Sequence, residues 1–174
     1  MRIALLAADM FEDVELWYPY YRLLEAGHQV DIVGCEAGAT HKGKKGTSVE
    51  TTHAAADVAE VEYSAVVIPG GFSPDYMRRC RPLVDLVRSV GQAGQTVAAV
   101  CHGPWMLASA GLARDRRVTS YPSIRVDLEH AGGNWVDEEV VEDGNVITSR
   151  RPDDLPAFMR TVIAALERQP APLP

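Results

Sequence analysis

The stretch Val97-Ala98-Ala99-Val100-Cys101-His102-Gly103-Pro104-Trp105-Met106-Leu107 decides how this chain folds. Its opening residues are uniformly apolar, as in a strand buried on both faces, and a helical period opens at Trp105, so the backbone must turn sharply in between. A sharp strand-to-helix turn crowds the positions two before and two after its apex. Here those are Ala99 and Gly103, both small, with Cys101 at the apex. The pattern is a nucleophile elbow with sulfur in place of oxygen, at the carboxyl end of a strand, where open α/β sheets carry their sites.

Outward from the elbow, short aliphatic runs alternate with helical periods. Residues 2–7, 28–34, 65–69 and 95–100 read as strands. Residues 13–26 set Val14, Trp17, Tyr21 and Leu24 on one helical face and end at Gly27; residues 82–93 do the same with Leu83, Leu86, Val87 and Val90 and end at Gly94. Near-continuous apolar strands joined by helices imply a doubly wound α/β sandwich with a mainly parallel sheet, because right-handed crossovers put helices on both faces. The remainder predicts a helix over 122–130, strands over 136–142 and 146–149 around an Asp143-Gly144 turn, and a final helix capped near Asp153. That helix carries Leu155, Phe158, Met159, Val162, Ile163 and Leu166 at helical spacing. A single domain over 1–168 with a frayed, proline-rich tail over 169–174 is the expectation.

With 174 residues, 47% of them hydrophobic, the chain can bury one sizeable core. A formal charge of -7 argues against a nucleic-acid partner, which needs a basic field. Lys42, Lys44 and Lys45 crowd into His41-Lys42-Gly43-Lys44-Lys45-Gly46, which reads as a solvated turn. No apolar run reaches membrane-spanning length and the first is too short for a signal peptide, so no membrane partner and a cytoplasmic location are expected. Cys35, Cys80 and Cys101 are too few for a disulfide scaffold, and none forms a C-x-x-C pair. Cys35 and Cys80 lack an adjacent base and read as structural. No metal or cofactor motif is present, so neither is expected.

The elbow would set the Cys101 sulfur at a helix N-terminus, which favours a thiolate. His102 is the nearest base, although neighbouring residues of a strand point apart unless the turn re-aims them. Within Phe11-Glu12-Asp13-Val14-Glu15, Asp13 and Glu15 are explained by the dipole of the first helical turn, whereas Glu12, in the preceding loop, can face the sulfur as a neutral acid. Ile68-Pro69-Gly70-Gly71-Phe72 ends a strand in a glycine pair whose bare amides can approach an oxyanion.

These segments, with Ser120-Tyr121-Pro122-Ser123 and Thr148-Ser149-Arg150-Arg151-Pro152-Asp153-Asp154-Leu155, resemble the ThiJ/PfpI superfamily over nearly the whole chain, closest to its PfpI branch of intracellular protease/amidase-like proteins. The resemblance implies a flavodoxin-like fold related to class I glutamine amidotransferase domains. It implies Cys101 as nucleophile, Glu12 as the acid hydrogen-bonded to its sulfur, His102 as base, and the backbone amides of Gly71 and His102 as oxyanion donors. The PfpI branch completes a triad with a glutamate from a neighbouring subunit. The matching position here is Asp75, one methylene shorter, so a homo-oligomer, dimer or hexamer, with a shared site is implied.

Glutaminase chemistry is disfavoured, because the segment leading into the last helix, Ser149-Arg150-Arg151-Pro152-Asp153-Asp154, holds no histidine. The favoured activity is a cysteine-dependent hydrolase of peptides or amides with a stress-response role. Its alternative is a cofactor-free glyoxalase or deglycase acting on methylglyoxal or its adducts. A second alternative is a non-catalytic redox-sensing or chaperone protein that uses an oxidisable Cys101. Bulky Trp17, Trp105 and Tyr121 near the presumed rim would narrow the site toward a small carbonyl substrate.

Overall fold

The structure is a computed structural model that describes residues 1–58 and 63–169. A central sheet is built from β1 (Arg2–Leu6), β2 (Gln29–Gly34), β5 (His53–Ala54), β6 (Ala65–Ile68), β7 (Thr96–Val100), β10 (Val140–Asp143) and β11 (Val146–Ser149). Its order is β10-β11-β7-β6-β1-β2-β5, all pairs parallel except the β10–β11 hairpin at one edge. This is the doubly wound, flavodoxin-like α/β arrangement. The antiparallel edge is the one place where a two-residue turn, Gly144-Asn145, replaces a crossover.

Side chains alternate across each strand, and the buried residues divide accordingly into two layers. On one face, Leu6, Ile68, Val97 and Ala99 pack against α2 (Ser73–Arg78), α3 (Arg81–Gln92), α4 (Trp105–Ala110) and α5 (Arg125–His130), through Met77, Leu83, Leu86, Val87, Met106 and Leu128. On the other, Ile3, Leu5, Val67 and Val100 meet α1 (Asp13–Glu25) and α6 (Leu155–Arg168) through Leu16, Leu23, Phe158, Met159 and Val162. The α3 and α6 positions expected to face the core do so. On α1, however, Val14, Tyr21 and Leu24 are exposed; Leu16, Pro19 and Leu23 are the buried set. The apolar residues of that helix cover more than one face, so their spacing did not select the buried one.

Other segments differ from the sequence reading. The expected strand over 136–142 is confined to Val140–Asp143, and the helix over 122–130 is a turn of 3-10 helix at Pro122–Ile124 followed by α5. The residues beyond β2 form a two-stranded hairpin, β3 (Thr40–Lys42) with β4 (Ser48–Glu50), and β8 (Arg117–Val118) pairs with β9 (Asn134–Trp135) in a second small ribbon. Cys35 and Cys80, read as separate structural thiols, are joined in a disulfide with Cα atoms 6.0 Å apart. They are 45 residues apart in sequence, so only the packing of α2 beside the end of β2 brings them together. Of the proline-rich end, 170–174 lie outside the described residues. Among the described residues no helix is long and apolar enough to cross a membrane.

Candidate active site

The β7–α4 junction is the elbow its sequence implies. Cys101 has φ 61°, a left-handed conformation unusual for a residue with a Cβ, and the Gly103 amide donates back to the Val100 carbonyl at 2.7 Å. A Cβ on Gly103 would lie 2.6 Å from the Ile68 carbonyl oxygen, which is why the position after the turn must be bare. The strain is held from both sides: the Cys101 amide donates to Ser149 of β11, and its carbonyl accepts from the Tyr121 amide.

Cys101 is 7% exposed and lies at the floor of a cavity of about 240 Å³. Glu12, Glu15, Lys44, Gly71, Phe72, His102, Tyr121 and Pro152 form the rest of its lining. The acid at the sulfur is Glu15 and not Glu12, which corrects the sequence reading. Glu12 caps α1 in an extended conformation, and its carboxylate pairs with the Lys44 ammonium at 2.8 Å. Glu15 sits one turn later. Helical side chains lean toward the N-terminus of their helix, so its carboxyl reaches back over the rim to the sulfur. It is fully buried, accepts a hydrogen bond from the Gly70 amide at 2.8 Å, and is hydrogen-bonded to Cys101. A Cβ on Gly70 would stand 2.5 Å from the Glu15 Oε2 and 2.7 Å from the Cys101 Cβ; only glycine leaves room for the pair.

Burial raises the Glu15 carboxyl to about 7, against the lowering effect of the Gly70 and Cys101 hydrogen bonds. Burial and the adjacent Glu15 charge push the Cys101 thiol up to about 12, against the Gly71 and His102 amides that donate to its sulfur. The expected thiolate is therefore replaced by a protonated resting thiol. A helix of six residues that begins at Trp105 does not offset the loss of solvent. The two amides expected to hold an oxyanion, those of Gly71 and His102, are aimed at the sulfur in the free protein.

His102 is re-aimed by the turn. Its Nδ1 is 3.3 Å from the Cys101 sulfur and its Nε2 is 3.2 Å from the Ser123 hydroxyl. Its ring stacks on Tyr121 with centroids 5.1 Å apart and meets Trp105 edge-on at 5.2 Å. Burial, then the Lys44 charge, holds the imidazole below its ordinary value, so it is neutral near pH 7. Asp75, on α2, is exposed, and among the described residues no hydrogen bond or ion pair joins it to His102. Lys44 is in the exposed turn the sequence predicts and also lines the cavity, because the β3–β4 hairpin folds over the start of α1. The Asp13 carboxylate fixes that hairpin by accepting from the amides of Lys45 and Thr47 and from the Thr47 hydroxyl. Trp17 lies outside the cavity and bonds the Thr47 hydroxyl at 3.1 Å. Pro152 reaches the cavity wall from the β11–α6 turn, which the Arg150–Asp154 ion pair braces at 2.9 Å.

Sequence reasoning missed Glu15, Lys44 and Ser123. For Glu15 the helical lean toward the N-terminus is a partial signal, but it selects Glu15 over Glu12 only once the docking of α1 is known. Ser123, 22 positions from Cys101, lies in a segment that carries the family resemblance but was given no role, and for Lys44, 57 positions away, the sequence offers no signal.

No group of three or more metal-capable side chains occurs among the described residues. Compared with known proteins, residues 1–165 match the model of the DJ-1/PfpI family. A protein from Pyrococcus abyssi named as a deglycase is 46% identical over 167 residues, covering 96% of this chain and 100% of its own. The "Protein/nucleic acid deglycase 2" of Escherichia coli is 42% identical over 167 residues, with 95% and 97% covered. Among solved structures, a two-domain protein from Anabaena variabilis with DJ-1/ThiJ/PfpI-like and ferritin-like domains superposes with a TM-score of 0.94 at 38% identity. It is covered over 95% of this chain and 48% of that longer one. Fold, elbow and sequence agree over the same residues, and the chain belongs to the DJ-1/PfpI family.

Proposed function

We propose that the protein is a cofactor-free enzyme of the deglycase or glyoxalase type, acting through Cys101 on small α-oxoaldehydes or their adducts with amines and thiols. One observation carries the reading: a thiol and a buried carboxyl of pKa about 7 share hydrogen bonds at the floor of a cavity of about 240 Å³. Pockets for drug-sized ligands run to about 300–1,000 Å³, and a peptide segment needs a longer groove still. The names carried by the Pyrococcus and Escherichia relatives support the same choice over peptide hydrolysis, the activity favoured from sequence.

In the first step Cys101 Sγ bonds to the aldehyde carbon, the thiol proton leaves to Glu15 or His102, and the carbonyl oxygen takes a proton to give a hemithioacetal. The Glu15 carboxyl is poised near neutrality, where a group can both accept and return a proton. It, or His102, then moves the proton from the former aldehyde carbon to the neighbouring carbonyl carbon, while the hydroxyl proton passes to the neighbouring oxygen, which leaves a thioester of a 2-hydroxy acid. Water hydrolyses that ester and frees the thiol. Gly71 and His102 amides serve the oxygen that gains charge. Lys44, paired with Glu12, sets an ammonium at the rim.

The test is lactate formation from methylglyoxal followed by NMR, for wild type, Cys101→Ala and Glu15→Gln. Turnover by wild type and its loss by both variants is the expected result. Methylglyoxal consumption without lactate would mean reversible adduct formation only and would sink the reading. The resemblance to the PfpI branch also supports a homo-oligomer in which Asp75 of one copy approaches His102 of another.

A further inference from the structure

A second cavity, of about 270 Å³, lies at the same carboxyl end of the sheet as Cys101 but beyond β1 and β2, and is lined by both sulfur-bearing residues of the disulfide. Asp9, His41, Tyr76 and Arg79 supply its polar wall. We propose that the Cys35–Cys80 disulfide is an exchange site for a low-molecular-weight thiol, attacked at Cys35 with Cys80 as the leaving sulfur.

Three observations carry this. The two sulfurs are unequally placed: Cys35 is an exposed residue following β2, whereas Cys80 is buried, at 8% exposure. Exchange rates follow access and the stability of the departing thiolate. Cys80 caps the N-terminus of the twelve-residue α3 and lies between Arg79 and Arg81, so a thiolate released there meets the positive helix end and two guanidinium-bearing neighbours. Cys35 is followed by Glu36 and sits at the carboxyl end of a strand, with no such support. The third observation is His41: both its ring nitrogens are buried without a hydrogen-bond partner, with Nδ1 3.6 Å from the Asp9 carboxylate, and the ring lines the same cavity. An imidazole with no partner on either nitrogen thus stands beside a bond that is opened by a deprotonated thiol.

The step balances. An entering thiol gives its proton to His41 and its sulfur bonds to Cys35 Sγ; the Cys35–Cys80 bond breaks and its electron pair stays on Cys80. A second thiol attacks the outer sulfur of the mixed disulfide. Two small thiols are thereby oxidised to their disulfide, and the protein is reduced to two cysteine thiols. Opening the bond releases α2 from the end of β2, and α2 begins two residues after Gly71.

The experiment treats the native, air-oxidised full chain with reduced glutathione, quenches with acid, alkylates free thiols and maps each cysteine peptide by mass spectrometry. Site-resolved mapping separates Cys101, so this outcome is independent of the reading of that residue. The glutathione adduct is expected on Cys35 and the alkyl label on Cys80, in at least tenfold excess over the converse. Exchange by the Arg79→Gln, Arg81→Gln double variant is expected to be at least threefold slower at unchanged circular dichroism. A disulfide that resists glutathione until the protein is unfolded would overturn the proposal, as would an adduct chiefly on Cys80.

Discussion

At the scale of single residues, the chemistry turns on a carboxyl that the fold takes out of water. Glu15 is raised from 4.5 to about 7, so between those values the native protein holds a proton that the unfolded chain has released. Stability from this group is therefore fully present below about pH 4.5, falls as pH rises toward 7 and levels off above. Glu15→Gln should remove that fall: urea unfolding at pH 5 and pH 8 should give wild type a loss on the order of 3 kcal/mol that the variant lacks. The same substitution should cut turnover by roughly 10²–10⁴, the span of a general acid–base group. Glu12→Gln leaves the Cys101–Glu15 pair in place and should cost less than about tenfold. Ser123→Ala removes the hydroxyl from His102 Nε2. It should lower kcat more than KM, because the ring, still stacked on Tyr121, loses its orienting partner and not its place.

At the scale of elements, the site depends on three loops meeting one helix start. Phe11 bridges both Gly43 of the hairpin turn and Gly71, so the loop before α1 fixes the lysine edge and the glycine wall at once. Asp13 is the bolt of that assembly. Burial raises its carboxyl, but the Thr47 hydroxyl and the amides of Lys45 and Thr47 outweigh burial and hold it below the ordinary 3.8. Asp13→Ala would strand these donors, at a cost of about 1–3 kcal/mol in chemical denaturation, and should release Lys44 from the rim. A KM that rises with little change in kcat would show that the hairpin serves binding. On the opposite side of the sheet from α3, Phe158 of α6 is fully buried between strands and α1, and Phe158→Ala should cost about 3–5 kcal/mol.

At the scale of the whole molecule, the sheet order places β7 between β6 and β11, so the elbow, the Gly70-Gly71 loop and the turn carrying Pro152 emerge side by side at the carboxyl end of the sheet. Asp75 stands outside that convergence within one chain, so any part it plays needs a second copy. Light scattering should give a mass that is a multiple of 19.0 kDa. Asp75→Asn should lower turnover in that species; a fully active species of single-chain mass would exclude the shared triad.

The parallel sheet, the core faces of α3 and α6 and the Cys101 elbow were legible in the sequence, because each rests on local spacing: apolar periodicity of two kinds, and small residues where a turn crowds the chain. His102 and the Gly70-Gly71 pair were read on the same local grounds, and the resemblance to the PfpI branch supplied the roles expected of them. What the sequence could not supply was which acid meets the sulfur, which cation edges the cavity and which cysteines pair. Glu12 and Glu15 differ by a single helical turn, and their directions are set only when α1 docks against Gly70. Lys44 reaches the site because a hairpin folds over, and Cys35 meets Cys80 because α2 packs beside β2. Even the protonation of Cys101 reversed its sequence expectation: the dipole is a local property of the chain, but desolvation exists only once the tertiary structure has closed around the sulfur.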